Sequence, residues 1–127
     1  MANNTVTSTQ FATGILAALA RENRRVIATR SLTRDFEWAL RNAYAHLQRA
    51  GATFDFEPGD QAAEIIRAIG GAVSSGLGEL QGDGTLRITI DRNDTDTYFE
   101  YLPLDAATWR SAAKVIIERI SDEELVI

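Results

Sequence analysis

The sequence has no cysteine, two prolines, one methionine, one histidine and one lysine. Without cysteine there is no disulfide, no thiolate nucleophile, no zinc–thiolate site and no iron–sulfur cluster. The single His46 leaves neither a His-x-x-x-His nor a Glu-x-x-His pair to hold a metal. No run of about 18 apolar residues occurs, so no membrane-spanning helix and no membrane partner are expected. The opening Met1-Ala2-Asn3-Asn4-Thr5 lacks a basic region and an apolar stretch, so a secretory leader is not expected. Cytoplasm is the expected location.

What remains is ordinary globular material. The 127 residues are 45% hydrophobic and 24% charged, enough for one hydrophobic core and one domain over residues 1–127. The net charge of −5 is unevenly placed. Residues 1–50 carry seven arginines against Glu22, Asp35 and Glu37, a net +4. Residues 51–127 carry six basic and fifteen acidic side chains, a net −9. Such asymmetry marks an interaction surface unless the two halves pair with each other.

Hydrophobic periodicity predicts an α+β fold. Residues 1–8 read as a loose arm or a short edge strand. Phe11, Ile15, Leu16 and Leu19 then form one stripe of a helix running to about Arg25. Val26 to Thr29 either extends that helix or breaks it. A second helix is expected from Thr33 as N-cap, with Phe36, Leu40, Ala43 and Leu47 inward and Gly51 closing it. Residues 52–56 alternate as a short strand. Asp60 caps a third helix with Ala62, Ile65, Ile66 and Ile69 inward, which Gly70-Gly71 interrupts. A second helical piece carrying Val73, Leu77 and Leu80 is expected to follow.

Leu86, Ile88 and Ile90 alternate with Arg87, Thr89 and Asp91 as a strand, and residues 97–102 read as its antiparallel partner. Asp105 caps a last helix, with Leu104 and Trp109 at the spacing of a hydrophobic staple. The expected order is α-α-β-α-β-β-α. About four helices cover a mostly antiparallel sheet made of the hairpin 85–102 and the short strand 52–56.

Each chemical motif fails on a specific residue. Gly71 and Gly76 have the outer spacing of a P-loop, but Leu77-Gly78 stands where the phosphate-binding lysine and the hydroxyl should be. Gly76 and Gly78 begin a dinucleotide fingerprint, yet Gln81 occupies the third glycine position. Ser74 and Ser75 have neither the preceding strand nor the following histidine of a nucleophile elbow. Asp91 to Asp96 starts like a calcium loop, but it lacks the glycine at position six and carries Leu102 where a bidentate acid is required. Asp55, Glu57, Asp91 and Glu100 are the carboxylates open to acid–base work, and sequence does not bring any two together. No cofactor, metal or catalytic residue is expected, and the chain does not read as an enzyme.

Two surfaces stand out. Arg21, Arg24 and Arg25 share a helical face, with Arg30 and Arg34 close behind, as in a basic protein-binding or nucleic-acid-binding face. Trp38, Asp91, Asp94, Asp96 and Tyr98 make a second candidate interface, since aromatics are enriched where proteins meet. The expected function is therefore a small protein-binding domain acting as regulator, inhibitor or assembly subunit through a polarised charged surface. The alternative is a nucleic-acid-binding accessory using the arginine-rich helices. An exposed hairpin edge also leaves homo-oligomerisation open.

Overall fold

The computed structural model describes residues 5–22, 26–28, 34–59, 62–80, 85–119 and 125–126. The elements run β1 (Thr5–Val6), α1 (Ser8–Arg21), β2 (Val26–Ala28), α2 (Arg34–Arg49), β3 (Thr53–Phe54) and α3 (Ala63–Ser74). They continue with β4 (Gly78–Leu80), β5 (Thr85–Ile88), a 3₁₀ turn (Arg92–Asp94), α4 (Thr95–Glu100), α5 (Ala106–Arg119) and β6 (Leu125–Val126). The mix of helix and strand bears out α+β, but the described part holds five helices and two small sheets.

α1 is the centre of the molecule. Thr7 and Gln10 form a capping box: the Gln10 N–H donates to Thr7 Oγ1 at 3.1 Å, and the Thr7 N–H donates to Gln10 Oε1 at 2.9 Å. Phe11, Ala12 and every residue from Gly14 to Ala20 are buried. A helix apolar nearly all round must be packed on several sides, and α1 touches α3, α4 and α5. It ends at Arg21 rather than Arg25, and Val26 to Ala28 breaks away into β2.

The larger sheet has the order β4-β5-β2-β6, all antiparallel. Leu80, Leu86, Ile27 and Leu125 lie in one cross-strand row. Leu86 and Ile88 are buried while Arg87 is exposed, so one face of β5 meets the core. β1 and β3 pair in parallel as a separate two-stranded ladder, which settles residues 5–6 as an edge strand and trims the expected strand 52–56 to Thr53–Phe54.

The hairpin expected over 85–102 is corrected. β5 pairs instead with β4, which precedes it, and residues 95–100 are helical. Local hydrogen bonds explain the change. The Asp91 carboxylate accepts the Asn93 N–H at 2.8 Å, starting the 3₁₀ turn, and the buried Thr95 hydroxyl donates to the Arg92 carbonyl at 2.8 Å. Thr95 and Phe99 are buried, and Tyr98 and Leu102 pack against the core. Their i, i+3, i+4, i+7 spacing is helical, and it overrides the shorter alternation.

The region 70–80 is corrected as well. α3 runs through Gly70-Gly71 without a break and closes at Ser75. The Leu77 N–H donates to the Ala72 carbonyl and the Gly76 N–H to the Val73 carbonyl, both at 3.0 Å, with Gly76 at φ +90°. This is a Schellman closure, and it releases residues 78–80 into a strand. α2 closes the same way: the Ala52 N–H reaches the Leu47 carbonyl at 3.0 Å around Gly51, at φ +103°. The expected caps Thr33 and Asp60 lie outside the described residues. Asp105 does cap α5, accepting the Thr108 N–H at 2.8 Å. Among the described residues, no helix is long and apolar enough to cross a membrane.

The core joins these pieces through aromatic rings. Phe11 sits among Tyr44, Phe54, Phe56 and Trp109, with ring centroids 6.0 to 6.3 Å away. Tyr44 stacks on Phe54 at 4.1 Å, and its hydroxyl donates to the Phe56 carbonyl at 3.0 Å. The fully buried Trp109 satisfies its indole N–H on the Pro103 carbonyl at 2.8 Å.

Candidate functional site

A concavity of about 410 Å³ lies between the first two turns of α1 and the outer stripe of α3. Ser8, Thr9 and Thr13 form the α1 wall. Ala68, Gly71, Ala72 and Ser75 follow one another on α3 at helical spacing, with Leu77 beyond them. Glu64 and Arg67 close one end as an i, i+3 pair, with 3.4 Å between Oε2 and Nη1. Both are substantially exposed, so the pair contributes little to stability. The groove is thus small-sided, rich in hydroxyls and bounded by one cation and one anion. Its hydroxyls offer hydrogen-bond donors and acceptors beside Gly71.

Gly71 lies in this wall, beside Gly70. Neither has a positive φ, and a Cβ added to either would meet nothing within 4 Å. In the sequence the pair reads as a helix break, which hides the groove. The available signal was that Ile65, Ile69, Ala72 and Val73 carry the helical period across the glycines.

His46 and Ser111, far apart in sequence, meet at the α2–α5 contact with 2.9 Å between Nε2 and Oγ. A histidine beside a serine suggests a nucleophile, so the proton positions matter. Ser111 Oγ lies 2.7 Å from the Thr108 carbonyl and donates to it, one turn back on its own helix. With that proton engaged, Nε2 is the donor to Ser111, the opposite of what a general base requires. Ser111 also sits inside α5, where backbone N–H groups serve the helix ladder rather than an oxyanion. The pair ties two helices together.

Among the described residues two titrations are displaced. The Asp105 carboxyl is held below its usual range, first by the Thr108 hydroxyl and then by the Thr108 N–H. The Tyr44 phenol is raised, first by burial and then by the nearby Glu57 carboxylate. Both follow from fold-building contacts. Among the described residues no three acidic or histidine side chains gather as a metal site.

The sequence-derived interfaces are only partly placed. Arg21 lies half-buried in the last turn of α1. Arg24, Arg25 and Arg30 fall outside the described residues, and Arg34 opens α2 with its side chain outside them. Trp38 is 52% exposed on α2. Asp91, Asp94 and Asp96 are exposed around the 3₁₀ turn, and Asp91 also caps it. Tyr98 is half-buried against the core, whereas Tyr101, one turn on, is 81% exposed. Both tyrosines were expected on a strand and stand on or at the end of α4 instead. The chain matches no family model, no curated protein and no solved structure.

Proposed function

We propose that this chain is a small non-enzymatic protein-binding domain, a regulator, inhibitor or assembly subunit, whose α1–α3 groove receives part of its partner. The pair Gly70-Gly71 carries the reading. A glycine inside a helix costs roughly 0.5–1 kcal/mol relative to alanine. The usual compensations are a left-handed backbone or a close neighbour, and neither glycine has one. A partner backbone approaching α3 at Gly71 supplies the missing reason. Exposed Asp91, Asp94 and Asp96 and the half-exposed Trp38 support the same class, through steering and anchoring.

The test uses the full chain, tagged, in a native lysate with cross-linking and mass spectrometry. Wild type is expected to retain a specific protein. Gly71→Leu, which fills the groove, should lower retention about tenfold, the effect of losing roughly 1.4 kcal/mol, without lowering the melting temperature. Equal retention by both chains, or no protein retained, overturns the reading. Salt-sensitive retention of nucleic acid in its place would favour the alternative, a nucleic-acid-binding accessory using the arginine-rich segment.

A further inference from the structure

We draw no further inference here: the strongest candidate, the groove between α1 and α3 above Gly71, belongs to the site already described, and nothing in the structure shows which class of partner segment covers it.

Discussion

The Trp109 indole lies directly against the backbone of Gly14, so close that a Cβ at position 14 would stand 2.5 Å from Cε3 and Cζ3. No real side chain tolerates that separation, and Trp109 is fully buried with its N–H already committed to Pro103. The glycine is therefore what lets α5 pack onto the central helix at all.

Gly14→Ala should destabilise the domain by about 1–3 kcal/mol, the usual cost of overpacking. That sign opposes helix propensity, which alone would favour alanine by about 1 kcal/mol. Denaturant unfolding measures it. Because the clash is with the indole's benzo ring, Trp109→Phe should absorb part of the Gly14→Ala cost, and a double-mutant cycle should show coupling between the two positions.

The other helix-interior glycines should behave in the opposite way. Gly70→Ala and Gly71→Ala meet no neighbour within 4 Å and have ordinary helical backbones. Each is expected to stabilise the free chain by about 0.4–1 kcal/mol, chiefly by restricting the unfolded state. Thermal unfolding of the two single variants checks this. A loss of stability at either site would mean that the free chain itself needs the glycine.

Asp105 gives the acid limb of the pH profile. Its folded carboxyl titrates below the unfolded value of about 3.9. Its contribution is therefore fully present above the unfolded value and disappears as pH falls through the folded one. Wild type should melt higher than Asp105→Ala at neutral pH, and the gap should close in strong acid. A gap that persists there would show that the carboxylate charge is not what stabilises the cap.

Tyr44 has the reverse sign. Its folded phenol titrates above the unfolded value of about 10. The stability it contributes is complete below that value and is lost as pH rises through the folded one. Wild type should hold an advantage over Tyr44→Phe at neutral pH, on the order of 1 kcal/mol for the lost bond to the Phe56 carbonyl. Phenolate absorbance followed during alkaline titration should show a late component that Tyr44→Phe lacks.

Much was legible in the residues taken one segment at a time. The caps at Gly51 and Asp105, the buried Leu40, Ala43 and Leu47 of α2 and the short strand around Phe54 follow from local spacing and side-chain hydrogen bonding. Local rules also misled where two periods competed. Residues 97–102 alternate as a strand does, but Thr95, Tyr98, Phe99 and Leu102 also keep helical time, and the buried Thr95 settles the contest. Ala62 takes a left-handed backbone at φ 53° beside α3, a conformation that alanine does not advertise.

By itself, then, the sequence determined an α+β composition, most helix faces and the failure of every phosphate, metal and nucleophile motif tested. Those follow from residue identity and short-range periodicity. Only the tertiary structure decided which strand pairs with β5, that Ser111 holds His46, and that Gly14 admits Trp109. It also decided that Gly71 lies in the wall of a groove against α1. Each depends on segments distant in the chain, whose approach is set by how the whole core closes around α1.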